Sequence, residues 1–242
     1  MKVTRAMKRF IVIPVIFISA LLTLAISFCN KDDVTSPQSD TPGTIVEHFG
    51  HLQVRGNQIV DKHGDPVALH GMSLFWSQWM PQFYNKDCIR WLRDDWNCTI
   101  IRAALAVEHG GYLENSVEEM MKIATVVNAC VDLGMYVIID WHSHHAEDQL
   151  AEAKSFFKQV AKSYGKYPNV IYEIYNEPLD VSWSQVLKPY AEAVISEIRS
   201  EDPDNLIVVG TPTWSQDVEV AALAPIDDVN VAYALHFYTG TH

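Results

Sequence analysis

The stretch Tyr172-Glu173-Ile174-Tyr175-Asn176-Glu177-Pro178 decides the fold and indicates the chemistry of this 242-residue chain. Its apolar and β-branched part, which begins at Val170, predicts a buried strand, and Pro178 ends the pairing because it has no backbone N–H. Asn176 and Glu177 therefore lie at the carboxyl end of that strand. A carboxylic acid beside a carboxamide suits acid/base chemistry on a sugar, since the acid protonates a departing oxygen while the amide binds a hydroxyl. The alternative is a carboxylate that only caps the next helix.

Outward from this stretch, strand-like runs alternate with helical segments along the chain. The predicted strands are Val67–Met72, Thr99–Ala103, Met135–Asp140, Asn169–Tyr175, Asn205–Val209 and Asn230–His236. The predicted helices are Asn85–Trp96, Ser116–Leu133 with a Ser116/Glu119 capping box, Glu147–Tyr164, Ser182–Ser200 and Val218–Leu223. This alternation predicts parallel βα units, and strands that are apolar throughout are typical of a sheet buried on both faces.

Polar residues stand where the predicted strands end. They are Arg102, Asp140-Trp141-His142, Asn176-Glu177, Thr213-Trp214 and His236-Phe237-Tyr238. Enzymes with a (β/α)8 fold assemble their active sites from such strand ends. The sequence therefore predicts an α/β fold, a (β/α)8 TIM barrel of which this chain supplies about six βα units, with an N-terminal β-hairpin at residues 52–60.

The first 28 residues predict an export signal. Four basic side chains precede an uncharged apolar run from Phe10 to Phe28, and Cys29 follows at once. This arrangement resembles a bacterial lipoprotein signal, in which the cysteine is lipidated, although Phe28 departs from the usual small residue. Soluble secretion and an uncleaved membrane anchor are the alternatives. We expect an exported protein, either a cell-surface or outer-membrane lipoprotein or a secreted one, that meets the membrane only through an N-terminal lipid.

Composition separates a tether from a folded domain. Residues 29–43 are polar, contain two prolines and have too little apolar surface to fold, so they predict a tether. Residues 44–242 are long enough for one core but short for a complete (β/α)8 barrel, which typically has ~250 residues. The domain is therefore expected to be incomplete at its C-terminus.

Charge and cysteine content exclude some classes of function. The formal net charge of −12 repels phosphate backbones, so nucleic acid is not expected as a partner, whereas a neutral polymer is compatible. Cys88, Cys98 and Cys130 have no metal-ligand spacing and are expected to be core residues, with a bridge that involves Cys130 as the alternative. No cofactor or metal is expected, and we expect a monomer.

Several ordered motifs between Ile45 and His242 resemble cellulases of glycoside hydrolase family 5. The motifs are Leu69-His70-Gly71-Met72-Ser73, Trp91-Leu92-Arg93-Asp94-Asp95-Trp96, Ile101-Arg102-Ala103-Ala104, Val137-Ile138-Ile139-Asp140-Trp141-His142, Ile171 to Pro178, Gly210 to Asp217 and Tyr233 to Tyr238. The resemblance implies endo-acting hydrolysis of β-1,4-glucosidic bonds in cellulose or related β-glucans by a retaining mechanism with two carboxylates.

The same resemblance implies a role for each matching residue. Glu177 would be the acid/base, and Asn176 would bind the substrate 2-hydroxyl. Arg102 would hold the nucleophile ionised. The remaining implied residues are His142, His236 and Tyr238, which would line the reacting subsite, and Trp79 and Trp214, which would stack on sugars.

The chain departs from the family pattern in two places. Phe75 stands where relatives have a histidine, so one hydrogen bond to the sugar is lost. The nucleophilic glutamate of the family follows a seventh strand and is expected beyond residue 242, so the chain alone is expected to be inactive. For Glu177 we expect a raised pKa, supplied by burial and a neighbouring carboxylate.

Two other classes of function remain open. His142, His144 and His145, with Glu147 and Asp148 nearby, could indicate a metal-dependent hydrolase on a similar barrel, although loop residues beside the cleft are the favoured interpretation of His144 and His145. A non-catalytic carbohydrate-binding fragment would keep the tryptophans without turnover.

Overall fold

The computed structural model describes residues 43–240. The predicted signal, the tether up to residue 42 and the lipidation at Cys29 lie outside the described residues. Within them, none of the helices is long and apolar enough to cross a membrane.

Six parallel strands form one sheet, in which neighbouring strands follow one another along the chain. The strands are β3 (Gly71–Ser73), β4 (Ile100–Ala106), β5 (Tyr136–His142), β6 (Val170–Glu173), β7 (Ile207–Val209) and β8 (Val231–Tyr233). The longest pairing joins β4 to β5 over seven residues, from Ile100 opposite Tyr136 to Ala106 opposite His142. Each predicted strand has its counterpart in this sheet, and within the described residues five of the six strands are followed by a helix, as in part of a (β/α)8 barrel.

One short helix precedes the strands, and the other helices lie between strands along the chain. They are α1 (Ile45–Phe49), α2 (Lys86–Trp96), α3 (Tyr112–Leu133), α4 (Leu150–Tyr164), α5 (Lys188–Arg199) and α6 (Val218–Leu223). A 3₁₀ turn at Ala146–Gln149 precedes α4 and a π turn at Trp183–Leu187 precedes α5. The helix predicted at Glu147–Tyr164 therefore begins with a tighter 3₁₀ turn, and the helix predicted at Ser182–Ser200 begins with a wider π turn.

The two faces of the sheet carry different side chains because successive residues of a strand point to opposite sides. Arg102, Asp140 and Glu173 share the inner face. The outer face belongs to the main apolar core, which the helices cover; its strand residues include Ile101, Val137, Ile139, Trp141 and Tyr172, and its helix residues include Ile123, Val126, Phe156, Phe157 and Val194. Each such side chain contributes ~1.5–3 kcal/mol when it is fully buried.

A second apolar cluster covers the amino ends of the strands. Val46 of α1 and Leu52 pack against Tyr136, Ile171 and Leu206. The predicted hairpin is present, with β1 (Gln53–Arg55) antiparallel to β2 (Gln58–Val60). This end of the sheet is therefore apolar, and the polar residues collect at the other end.

The first sheet strand is shorter and later than predicted. It spans Gly71–Ser73 rather than Val67–Met72, because the backbone N–H of Val67 donates to Ile59 O of the hairpin at 2.9 Å. Pro66 also bridges to Val60. The apolar residues at the start of the predicted strand thus belong to the hairpin layer.

The predicted capping box of α3 is wrong. The helix begins four residues earlier, at Tyr112, and is kinked at Asn115. Glu119 is buried and accepts hydrogen bonds from Ser77 and Lys122, which bind its carboxylate to the loop after β3 and to its own helix. Tertiary partners therefore replace the local cap.

Cys88, Cys98 and Cys130 are free thiols, as expected for core residues, and the alternative bridge is wrong. Burial raises the pKa of Cys130 to about 12.

Candidate active site

A cavity of about 320 Å³ lies at the carboxyl ends of the strands. Six of the predicted site residues line it, namely Arg102, His142, Asn176, Glu177, His236 and Tyr238, and Ser73, Leu74, Phe75, Trp76 and His144 complete the wall. A larger cavity, about 570 Å³, lies near the β1–β2 hairpin and the amino ends of the strands. The polar strand ends converge on the smaller cavity, so it is the candidate active site.

Arg102 organises the floor of this cavity. Its Nε and Nη2 donate to the two carboxylate oxygens of Glu173 at 2.6 and 3.1 Å, and Nη2 also lies 2.9 Å from Asp140 Oδ2. Further bonds reach Asn176 Oδ1 at 2.8 Å and Ser73 Oγ at 3.2 Å. The guanidinium therefore connects its own strand, β4, to β3, β5 and β6, and it also holds Asn176, the residue beside Glu177.

The two buried carboxylates respond differently to the same guanidinium. Burial raises the pKa of Glu173, but the charge of Arg102 and the contact with His236 outweigh it, so the pKa falls to about 2. Burial raises the pKa of Asp140, and Arg102 opposes that rise only in part. Glu173 is therefore the ionised partner of Arg102.

Asp140 also positions an imidazole that faces the cavity. Its Oδ2 lies 2.5 Å from His142 Nδ1. The His142 ring packs edge-on against Trp76, with ring centroids 4.5 Å apart. A carboxylate below and an indole beside it thus fix the orientation of His142.

His236 joins the candidate acid/base to the buried network. Its Nδ1 donates to Glu177 Oε1 at 2.9 Å, and its Nε2 lies 3.6 Å from Glu173 Oε1. The contacts with Glu173 and Glu177 raise the pKa of His236 to about 9. His236 is accordingly an imidazolium at neutral pH in this arrangement.

Among the described residues alone, the pKa of Glu177 is lowered rather than raised. The hydrogen bond from His236 lowers this pKa despite half-burial, and the charges of His236, His144 and His142 add to the effect. The carboxylates that could have raised it, Asp140 and Glu173, are both paired with Arg102. A proton on Glu177 therefore requires a further negative charge close to it.

His144 lies on the opposite side of Glu177 from His236. Its Nδ1 is 3.0 Å from the backbone carbonyl oxygen of Glu177 and 3.9 Å from Glu177 Oε2. The residue lines the cavity, as expected of a loop residue beside the cleft, whereas His145 is exposed.

The predicted sugar-stacking tryptophans are exposed but stand outside the cavity wall. Trp79 is half exposed and stacks on Trp76, with ring centroids 5.0 Å apart, so it extends the wall outward. Trp214 lies in a turn whose residues have positive φ, and its N–H donates to Pro178 O at 2.8 Å. This bond holds the turn against the residue that follows Glu177. Phe75, the departure from the family pattern, lines the cavity and is exposed.

The histidines after β5 engage protein groups rather than one another. His142 contacts Asp140, His144 contacts the Glu177 carbonyl, and Glu147 accepts a hydrogen bond from Tyr175 Oη. Between residues 43 and 240 no three His, Cys, Asp or Glu side chains converge as a metal site would require.

Sequence reasoning missed Glu173, Ser73 and Trp76 as parts of the site. Glu173 carried a signal, since a glutamate in the middle of an otherwise apolar buried strand needs a partner of opposite charge. Ser73 and Trp76 carried none, because their contacts depend on how the loop after β3 folds over the cavity.

Sequential parallel βα units with imidazoles, an arginine and a carboxylate gathered at the strand ends define an enzyme domain of the TIM-barrel class. The family model described as "Cellulase (glycosyl hydrolase family 5)" matches residues 60–242. The chain therefore belongs to glycosyl hydrolase family 5.

Curated relatives agree with this family. Endoglucanase Z of Dickeya dadantii is 53% identical over 196 residues, which are 79% of this chain and 46% of that protein. Endoglucanase A of Evansella cellulosilytica is 50% identical over 242 residues, which are 98% of this chain and 47% of that protein. The chain thus spans about half the length of the curated relatives it matches.

Solved structures give the same fold. A structure from Cytophaga hutchinsonii superimposes with a TM-score of 0.82 at 58% identity, over 83% of this chain and 66% of that one. A variant of the catalytic domain of Thermobifida fusca endoglucanase Cel5A, in complex with cellotetraose, superimposes with a TM-score of 0.78 at 38% identity, over 83% of this chain and 68% of that one.

Proposed function

We propose that this chain provides the acid/base side of an endo-acting glycoside hydrolase site that cleaves β-1,4-glucosidic bonds in cellulose or related β-glucans. One observation carries the proposal: among residues 43–240, Glu177 is the one carboxylate that lines the cavity at the strand ends. Two kinds of relative support the substrate class, since the curated ones are endoglucanases and one solved relative holds cellotetraose.

In this mechanism Glu177 transfers its proton to the glycosidic oxygen as the bond to the anomeric carbon breaks. A second carboxylate, ~5–5.5 Å from the first, attacks the anomeric carbon from the other face and forms a glycosyl-enzyme. Glu177 then removes a proton from water, which displaces the carboxylate and restores the original configuration. Asp140 and Glu173 are buried and bound to Arg102, so neither is proposed as this second carboxylate.

The second carboxylate also completes the electrostatics. The described residues lower the pKa of Glu177, which favours the base form. A negative charge at the nucleophile position opposes His236 and raises that pKa, so the acid form is populated before the first step. In the glycosyl-enzyme the nucleophile is an ester and has lost its negative charge, so the pKa of Glu177 falls again. This is the stage at which Glu177 must act as a base.

The other residues of the cavity act as binding groups. Asn176 Oδ1 accepts from Arg102, so its amide N–H groups are the ones left for a substrate hydroxyl such as the 2-hydroxyl. Arg102, whose guanidinium lines the cavity, would also orient the nucleophile. The remaining proposed contacts are His142, His236 and Tyr238 around the reacting sugar and Trp79 and Trp214 as stacking faces.

Replacement of the acid tests the proposal in the full-length protein. Glu177→Gln should lower turnover of carboxymethylcellulose ~10²–10⁴-fold, since proton transfer to an unactivated leaving group is lost. Hydrolysis of 2,4-dinitrophenyl β-cellobioside, whose leaving group needs no proton, should fall far less in its first step. The exposed Glu192→Gln is the matched control and should leave both rates unchanged. Wild-type turnover of carboxymethylcellulose by Glu177→Gln would contradict the proposal, and a wild-type protein that only binds would favour a carbohydrate-binding role.

We propose further that the protein is exported and lipidated at Cys29. The support is the basic segment, the uncharged run to Phe28 and the cysteine directly after it. Cells that express the protein should incorporate labelled palmitate into it, and Cys29→Ser should abolish the label. Unlabelled protein in the culture medium would favour soluble secretion.

A further inference from the structure

His144 contacts the candidate acid/base through one ring nitrogen and leaves the other at the cavity. Nδ1 is 3.0 Å from the Glu177 carbonyl oxygen, and the side chain, one third exposed, lines the cavity. We infer that His144 is a substrate-binding residue whose Nε2 accepts a hydrogen bond from a hydroxyl of the sugar unit beside Glu177. This inference rests on the proposed function and names a contact within it.

The chemistry of the Glu177 carbonyl fixes the tautomer of His144. A carbonyl oxygen can only accept, so Nδ1 must carry a proton and donate it to that oxygen. In the tautomer that holds only this proton, Nε2 is a hydrogen-bond acceptor. The ring's hydrogen bond to the protein is made through Nδ1. A hydroxyl is the donor that a sugar offers in abundance, so the ring is prepared for such a ligand.

The ring is held before any ligand arrives. The hydroxyl of Tyr175, whose side chain is almost fully buried, lies 2.9 Å from the backbone carbonyl oxygen of His144 and packs against that flank of the residue. The next N–H, that of His145, donates to Ser143 Oγ at 2.9 Å. With both flanks of the residue and Nδ1 fixed, binding costs little ordering entropy, which favours affinity.

The position of the ring identifies which sugar it meets. Nδ1 lies only 3.9 Å from Glu177 Oε2, and Glu177 protonates the bond that is cleaved. The hydroxyl therefore belongs to one of the two glucose units that flank the scissile bond. The indole of Trp76, with its centroid 6.2 Å from that of His144, adds an aromatic face on the same side of the cavity.

Two substitutions separate the roles of the two ring nitrogens. His144→Asn places an amide N–H near the position of Nδ1 and removes the acceptor at Nε2. His144→Gln reaches the position of Nε2 and restores an acceptor there, but it gives up the bond to the Glu177 carbonyl. Both should be compared by their melting temperatures first, since either change leaves the buried core untouched.

Binding measured without turnover tests the inference. The full-length Glu177→Gln protein is titrated calorimetrically with cellotetraose and with its monodeoxy analogues. One missing hydroxyl should raise Kd about fivefold, as expected for one neutral hydrogen bond. In Glu177→Gln/His144→Asn, cellotetraose itself should bind about fivefold more weakly, and the loss of that same hydroxyl should have no further effect. In the His144→Gln counterpart, the sensitivity to that hydroxyl should return.

The outcomes that oppose the inference differ from those that oppose the proposed function. Equal deoxy penalties with and without His144, or a Glu177→Gln protein that does not bind cellotetraose, would overturn the hydroxyl contact. Retained turnover in Glu177→Gln would overturn the acid/base role; the deoxy penalties would then be compared through KM in the same variants, which tests the hydroxyl contact separately.

Discussion

Replacement of Arg102 by lysine tests the buried network on which the site stands. The guanidinium makes two hydrogen bonds to Glu173, one each to Asn176 and Ser73, and an ion pair with Asp140. A lysine ammonium keeps the charge but has only three donors and no planar fork. Arg102→Lys therefore loses at least two of these contacts.

The loss of stability in Arg102→Lys can be estimated from the hydrogen bonds that the lysine cannot make. Hydrogen bonds to charged groups contribute about 1.5–3 kcal/mol each, so two lost bonds should lower the free energy of unfolding by roughly 3–6 kcal/mol. The breaking of a buried ion pair, which costs about 3–5 kcal/mol, gives the same range. For a domain of this size the melting temperature should fall by at least about 6 °C.

Urea denaturation of the full-length protein and its variant measures this loss. Arg90→Lys is the matched control, because Arg90 makes a solvent-exposed ion pair with Asp87 whose contribution should be about 0–1 kcal/mol. Turnover of carboxymethylcellulose should also fall in Arg102→Lys, since Asn176 and Glu173 lose their common anchor.

The dependence on pH gives a second readout of the same ion pair. Burial raises the pKa of Glu173, but the charge of Arg102 and the contact with His236 bring it from 4.5 down to about 2, so this stabilisation is present above pH 4.5 and is lost as the pH falls toward 2. The variant should lose less stability across that window. An unfolding free energy within about 0.5 kcal/mol of the wild type, with the same acid sensitivity, would refute the reasoning.

Three further predictions concern other groups. The pKa of His236 is raised from 6.5 to about 9, so protonated His236 stabilises the fold fully below pH 6.5, and this contribution is lost as the pH rises through 9. In His236→Gln the free energy of unfolding should therefore depend less on pH in this range, and an unchanged pH dependence would contradict the assignment. Cys130 should resist thiol reagents at pH 8 in the native protein, and rapid labelling would disprove its burial. Tyr172→Phe removes the hydrogen bond of 2.6 Å that the tyrosine hydroxyl donates to Asp202. It should lower the free energy of unfolding, measured by urea denaturation, by about 1–3 kcal/mol, and an unchanged value would contradict a stabilising role for this bond.

The pattern of the sequence was sufficient for the sheet and for the cavity wall. Apolar runs that end in polar residues depend only on burial and on strand periodicity, so Arg102, His142, Glu177 and His236 could be assigned to one end of the sheet from the order of the residues alone. Because parallel strands bring their carboxyl ends together, these residues meet in one cavity.

Contacts set by tertiary packing could not be predicted in this way. Val67 bonds to Ile59 of the hairpin instead of extending the first sheet strand. Glu119 accepts a hydrogen bond from Ser77 instead of capping the start of its helix. The pKa of Glu177 depends on which imidazole donates to it, and His236 lies after β8, 59 residues further along the chain. These pairings depend on the three-dimensional positions of residues far apart in the chain, which the periodicity of a sequence does not specify.

The configuration of a trapped product tests the role of Glu177 most directly. In full-length Glu177→Ala, 2,4-dinitrophenyl β-cellobioside should still form the glycosyl-enzyme, and sodium azide should then displace the enzyme carboxylate without need of a base. We expect azide to accelerate turnover and to yield β-cellobiosyl azide, identified by its anomeric proton coupling. An α-configured azide would make Glu177 the nucleophile, and turnover that azide neither accelerates nor diverts would contradict its role as acid/base.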